Sequence, residues 1–267
     1  MGTFEQRSAE LDQRLRSLGR VAVAFSGGVD SAVLLHAAQR ALGAQAVGII
    51  ADSPSLPRRE LREARDLALL LEIELIEVRT AELSNPAYRA NAGDRCYFCK
   101  AALFEVMTTW AREHGFRALA FGEITDDFAD DRPGARAAAE FRVHAPLSAA
   151  GFSKRDVRRY AELHGLPVAD KPSSACLASR IPVGTEVTRE RLARVEAAEE
   201  ALRGTGLRQL RVRDRGDRAR VEVGADELAG ARANEEELGA LLAAQGFEQF
   251  ELAAYRDPGT VSSSDGG

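Results

Sequence analysis

The chain has 267 residues, 45% hydrophobic and 29% charged, which is enough apolar material for one large domain or two smaller ones with real cores. A formal net charge of -5 argues against the broad basic surface of a nucleic-acid binder, and no apolar run approaches the roughly 20 residues of a membrane span. Residues 1–16 are charged and lack a signal-peptide core, and three cysteines do not make a disulfide framework, so a cytoplasmic setting is expected, with neither nucleic acid nor membrane as partner.

Phe4, Leu11, Leu15 and Leu18 recur at helical spacing and predict an amphipathic helix over 4–18. Residues 21–25 (Val-Ala-Val-Ala-Phe) read as a buried strand, and 31–38 as a helix. Between them lies Ser26-Gly27-Gly28-Val29-Asp30-Ser31. Its glycines let the backbone approach an anion, and the first helical N–H groups stand unpaired at the positive end of the helix dipole. Ser26 and Ser31 add hydroxyl donors, and Asp30 stands where an N-cap is favoured. The loop lacks the Gly-Lys-Ser/Thr ending of a Walker A motif. It resembles the SGGxDS pyrophosphate loop of ATP pyrophosphatases, which cleave ATP to AMP and pyrophosphate.

Strands are predicted at 46–51 and 73–78, with a helix from Pro57 to about Leu71 between them. Residues 79–95 read as a loop, and Cys96-Tyr97-Phe98-Cys99-Lys100 leads into a helix to about His114. A fourth strand, 118–122, precedes a long acidic loop and short helix over 123–145, then a short strand at 145–147 and a helix over 154–164. Strands alternating with helices predict a doubly wound parallel α/β sheet, whose ligands bind at the carboxyl ends of strands. Ser26, Asp52 and Gly122 lie at such ends. The composition changes at Thr188: a charged helix (188–203), a hairpin (210–213 with 219–223), two helices (225–232 and 235–245) and a strand (247–252) read as a small α+β domain. The predicted domains are therefore 1–187 and 188–256, with 257–267 a disordered tail.

Several residues carry chemistry. Asp52 and Ser53 follow the second strand beside the phosphate loop, where related families border the adenine and ribose. Gly122-Glu123-Ile124-Thr125-Asp126-Asp127 resembles the G-T-N-x-D-D signature that lies by ATP and its magnesium, making Asp126 and Asp127 candidate ligands. Cys96-x-x-Cys99 supports zinc, redox or iron–sulfur roles, whereas structural zinc asks for four ligands and three cysteines are present. Cys176 sits in a polar loop, 170–182, with Lys171 and Arg180, and nearby cations favour the thiolate. Ser179 and Arg180 follow it closely. Arg211 and Arg213 alternate on one strand and share a face that can bind a phosphate. Glu199 and Glu200 are candidate bases or substrate contacts, and the four histidines show no metal-ligand spacing.

The phosphate loop, the run Lys171-Pro172-Ser173-Ser174-Ala175-Cys176-Leu177-Ala178-Ser179-Arg180-Ile181-Pro182 and the small C-terminal domain together resemble the LarE family over about residues 5–255. That family is the ATP-dependent sulfurtransferase of nickel-pincer cofactor biosynthesis for lactate racemase. The resemblance implies ATP and Mg2+ as cofactors and a pyridinium carboxylate mononucleotide as substrate. The carboxylate is adenylylated on release of pyrophosphate, and a sulfur nucleophile then displaces AMP. Some members give up the sulfur of one cysteine and keep dehydroalanine. Others carry two further cysteines and hold a 4Fe-4S cluster, the group to which Cys96, Cys99 and Cys176 assign this chain, while the same Cys176 would also serve the sacrificial route. The resemblance further implies a homo-oligomer, for which Leu241 and Phe250 are expected to be exposed apolar positions. Alternatives are a tRNA thiolation enzyme, which the net charge disfavours, an amide-forming ligase, which leaves the cysteines idle, and a non-enzymatic nucleotide-binding module.

Overall fold

The computed structural model describes residues 2–129, 133–172 and 175–255, so Asp130, Asp131, Ser173, Ser174 and the predicted tail lie outside the described residues. The chain divides between Ala175 and Cys176 into two compact units, which places Cys176 in the second and residues 170–175 of its loop in the first.

The first unit opens with α1 (Phe4–Leu18), whose Thr3 and Gln6 form a capping box, then β1 (Val21–Ala24) and α2 (Val29–Leu42). There follow β2 (Ala46–Asp52), α3 (Arg58–Leu70), β3 (Leu75–Arg79), α4 (Pro86–Ala90), α5 (Arg95–Glu113), β4 (Ala118–Phe121), α6 (Pro133–Glu140), α7 (Pro146–Ala149) and α8 (Lys154–Leu163). The four strands are parallel in the order β3-β2-β1-β4, the expected α/β architecture. Alternation along β1 explains why the strand is apolar throughout. Val21 and Val23 join one core with α1, α2 and α8, and Ala22 between them joins the other with Phe104 and Met107 of α5.

Two local expectations are corrected. Residues 145–147 are not a strand, because Pro146 takes the first position of α7, and a single bridge between Ala120 and His144 is the pairing there. Residues 79–95 are more than a loop, because Asn85 caps Ala87 N and Pro86 opens α4.

His36 and His164 pack against each other and against Tyr160. His36 and His164 stand 5.1 Å apart by ring centroid; Tyr160 Oη lies 3.2 Å from His36 Nδ1, and Arg40 Nη1 lies 3.1 Å from His164 Nε2. Burial, followed by the charges of His164 and Arg40, pushes His36 from the usual 6.5 down to about 4. The folded chain therefore resists a proton that the unfolded chain accepts, so stability is lost as pH falls from about 6.5 toward 4. Urea midpoints should drop between pH 7 and pH 5 for the wild type, and a His36→Gln variant should show a smaller drop; an equal drop would remove His36 as the cause.

The second unit holds a 3-10 turn (Leu177–Arg180), α9 (Arg189–Arg203), β5 (Leu210–Arg215), β6 (Arg218–Val223), α10 (Leu228–Ala233), α11 (Glu235–Ala243) and β7 (Gln249–Ala254). β5 and β6 form the expected antiparallel hairpin, turning through Gly216 at a φ of 86°, and β7 runs parallel to β6. Leu202, Leu210, Val212, Val221 and Phe247 form its core. Leu241 and Phe250 are half-buried against that core rather than exposed, because α11 and β7 lay their apolar faces on it. Among the described residues the exposed large apolar side chains are Leu69, Leu70, Leu163 and Val183. Among the described residues no helix is long and apolar enough to cross a membrane.

Candidate active site

The phosphate loop sits where strand order reverses, between β2 on one side of β1 and β4 on the other. Gly27 has a φ of 73°, which a side chain rarely tolerates, and Gly28 rather than Asp30 is the N-cap of α2. Asp30 instead lies in the first turn and pairs with Lys154 Nζ at 2.8 Å. Val29 is buried and anchors the helix start. Ser31 Oγ accepts from Ser26 N at 3.2 Å, donates to Gly28 O at 3.0 Å and lies 3.1 Å from Ser26 Oγ, so the two serines staple the loop. Gly122 closes the other side. A Cβ there would stand 2.8 Å from Ser31 N, a backbone approach that only glycine permits.

Ser26, Gly28, Asp30, Ser31 and Gly122 line a cavity of about 220 Å³ with Lys100 and Phe104 of α5, with Phe121 at the end of β4 and with Glu123 and Asp127 beyond it. Glu123, Asp127 and Asp30 supply oxygen donors of the kind Mg2+ takes. Asp126 points elsewhere: its carboxylate accepts from Lys154 N at 3.1 Å and from Thr125 Oγ1 at 3.1 Å, which holds the start of α8. Asp52 pairs with Arg58, and Ser53 is buried and donates to Glu82, so both shape the turn after β2.

Lys100 carries no motif of its own in the sequence, yet it lines the cavity. Its ammonium lies 4.7 Å from the Phe121 ring centroid, and burial pushes its pKa down against the opposing charges of Glu123, Asp127, Cys96 and Cys99. Composition carried the missing signal. The chain has only three lysines, against 33 arginines, and all three meet the phosphate loop: Lys100 lines its cavity, Lys154 pairs with Asp30 and Lys171 donates to Gly27 O at 3.1 Å.

Cys96 and Cys99 lie one turn apart at the start of α5, Cys96 exposed and Cys99 half-buried. Two thiols so spaced can bind one centre, and a donor set of three thiols leaves one iron of a 4Fe-4S cluster open, so its chemistry fits. Among the described residues no group of three histidine, cysteine or carboxylate side chains is gathered as a metal site.

In the second unit, half-buried Cys176 precedes the 3-10 turn. Its carbonyl accepts from Ser179 N at 2.9 Å, Ser179 Oγ at 2.8 Å and Arg180 Nη1 at 3.2 Å. Arg180 is 5% exposed and bonds Glu199 at 2.8 and 3.3 Å; Glu199 in turn accepts from Val212 N at 3.0 Å. Arg213 donates to Ser179 O at 3.1 Å and pairs with Glu222 at 2.9 Å. Arg211 is buried with its guanidinium 4.4 Å from the Tyr255 ring centroid, and burial pushes its pKa down. The geometry thus brings Cys176, Ser179, Arg180, Arg211 and Arg213 into one constellation, with Glu199 as its buried counter-charge. Glu200 is exposed on α9.

No family model matches the chain. It is 41% identical over 225 residues, 84% of both chains, to the uncharacterized protein slr1717 of Synechocystis sp.. It is 35% identical over 224 residues, 84% of this chain and 81% of the relative, to the pyridinium-3,5-bisthiocarboxylic acid mononucleotide synthase of Lactiplantibacillus plantarum. A more distant likeness, 29% identity over 56% of this chain and 40% of the relative, is to the argininosuccinate synthase of Natronomonas pharaonis. With this extent of identity to that synthase, the chain belongs to the family of pyridinium-3,5-bisthiocarboxylic acid mononucleotide synthases, the LarE family.

Proposed function

We propose that this chain is an ATP-dependent sulfur-inserting enzyme acting on a carboxylate of a pyridinium mononucleotide, in nickel-pincer cofactor biosynthesis. The observation that carries the reading is Cys176, held through its own carbonyl by Ser179 and Arg180, with Arg213 on the Ser179 carbonyl, in a chain that also has the Ser26–Ser31 glycine loop. In the first half-reaction the substrate carboxylate attacks the α-phosphorus of ATP; the bond to the β-phosphate oxygen breaks and pyrophosphate leaves. The backbone N–H groups of Gly27, Gly28, Val29 and Asp30, with Ser26 and Ser31, receive the departing charge. Asp52, Ser53 and Gly122 border the adenosine, and Asp30, Glu123 and Asp127 would hold Mg2+. Asp126 acts through the backbone by holding the α8 start.

In the second half-reaction sulfur attacks the acyl carbon and AMP leaves. Arg211 and Arg213 bind the substrate phosphate, and Arg180 and Ser179 orient Cys176. The sulfur takes one of two routes. Cys96, Cys99 and Cys176 would hold a 4Fe-4S cluster, which supplies an open iron position for sulfide. Alternatively the Cys176 thiolate forms a thioester; loss of its α-proton and cleavage of the Cβ–Sγ bond then release the thiocarboxylate and leave dehydroalanine. A homo-oligomer working in the cytoplasm completes the reading.

The test is anaerobic incubation with ATP, Mg2+ and the pyridinium dicarboxylate mononucleotide. AMP and pyrophosphate should form only when the carboxylate is present, and the product mass should rise by one oxygen-to-sulfur exchange. Formation of ADP, or AMP release that ignores the carboxylate, would overturn the reading.

A further inference from the structure

Lys171 stands five residues before Cys176 in sequence, yet its side chain belongs to the phosphate loop. Its ammonium donates to Gly27 O at 3.1 Å, to Glu60 at 2.7 Å and to Glu63 at 2.9 Å. Glu60 and Glu63 are three apart on α3 and so share one face of that helix. The lysine side chain is 15% exposed, and its three donors are matched to these three acceptors. The same helix supports the loop a second way: a Cβ on Gly27 would stand 3.3 Å from the Ala64 Cβ.

The peptide between Gly27 and Gly28 is planar, so the carbonyl of one and the N–H of the other point in opposite directions. Holding Gly27 O on the α3 side therefore aims Gly28 N–H at the opposite side, into the cavity that Gly28 lines. Gly28 N–H has a long 3.4 Å contact to Ser26 Oγ, so it is free to turn to a stronger acceptor. Without the tether, the glycine pair is the softest point of the loop, and the peptide can rotate its carbonyl into the anion site.

We infer that Lys171 is a positioning residue, clamped between Glu60, Glu63 and the Gly27 carbonyl, that sets the Gly27–Gly28 peptide for the pyrophosphate portion of the nucleotide. The inference rests on the nucleotide reading above and adds a residue that does not touch the phosphate. A lysine that bonded phosphate directly would instead be hampered by its two carboxylate neighbours, and the two cases differ in sign.

Calorimetric titration of the full chain with magnesium pyrophosphate and, separately, with AMP decides the matter. Lys171→Met should weaken pyrophosphate binding by about tenfold, the scale of a lost charged hydrogen bond, and leave AMP binding within about twofold. Lys171→Arg, which keeps a charged donor, should recover most of the loss. A Glu60→Gln, Glu63→Gln double variant should weaken pyrophosphate binding by about threefold or more, because the clamp is loosened. Tighter or unchanged binding in the double variant would overturn the inference and make Lys171 a direct phosphate ligand. Equal pyrophosphate affinity of Lys171→Met and the wild type would overturn it outright. A wild type that binds no pyrophosphate would overturn the nucleotide reading itself, and this inference with it. If Lys171→Met loses AMP binding as well, the arginine and double-glutamine variants carry the decision.

Discussion

Cys176→Ala should lose sulfur insertion by roughly a thousandfold or more while continuing to cleave ATP to AMP in the presence of the carboxylate, since removal of a nucleophile costs that much. In the proposed reaction the two half-reactions use different parts of the chain. The phosphate loop, Gly122 and the lysines lie in the first unit, and Cys176 with its arginines in the second. Alanine at 176 leaves the Cys176 carbonyl contacts with Ser179 and Arg180 in place, because these run through the backbone. The variant therefore isolates the sulfur atom. A parallel Cys96→Ala, Cys99→Ala variant separates the sulfur routes. With a cluster, it loses iron, sulfide and visible absorbance together with activity. With a sacrificial cysteine, it retains a single turnover, after which intact mass falls by the elements of hydrogen sulfide. Undiminished thiolation by Cys176→Ala would sink both routes.

Arg180→Met should destabilise the second unit by about 3–5 kcal/mol, the cost of leaving a buried carboxylate without its partner. Arg180 and Glu199 are 5% and 6% exposed, joined by two hydrogen bonds, and Glu199 also holds Val212 N of β5. The pair thus fixes the 3-10 turn of Cys176 to α9 and β5. Stability and function separate in an Arg180→Leu, Glu199→Leu double variant. Apolar replacement of a whole buried pair is often neutral or better, so urea denaturation should show most of the lost stability restored. Thiolation should stay low, because the donor to Cys176 O and Ser179 Oγ is gone. Recovery of activity together with stability would reduce Arg180 to a purely structural residue.

Local sequence by itself determined the scaffold. Apolar runs of strand length at 21–24 and 46–52, separated by helical periodicity, are properties of neighbouring residues, and the parallel sheet follows from their alternation. The geometry of the glycine loop was equally legible, because glycine at 27 and serines five residues apart act within one turn. So was the grouping of Ser179 and Arg180 with Cys176, since three and four residues are the reach of one helical turn. Tertiary structure decided the rest. Asp126 and Asp127 are adjacent and chemically alike, and only the packing of α8 turns the first to Lys154 N while the second lines the cavity. Glu199 and Glu200 differ in the same way: α9 buries one against Arg180 and leaves the other in solvent. Lys171, Lys154 and Lys100 converge on one loop from three separate segments, a gathering that no local window contains. Charged side chains carry no periodicity of their own. Their partners are set by which elements the apolar core brings side by side, so the chemistry of each charge is written in the fold rather than in its neighbours.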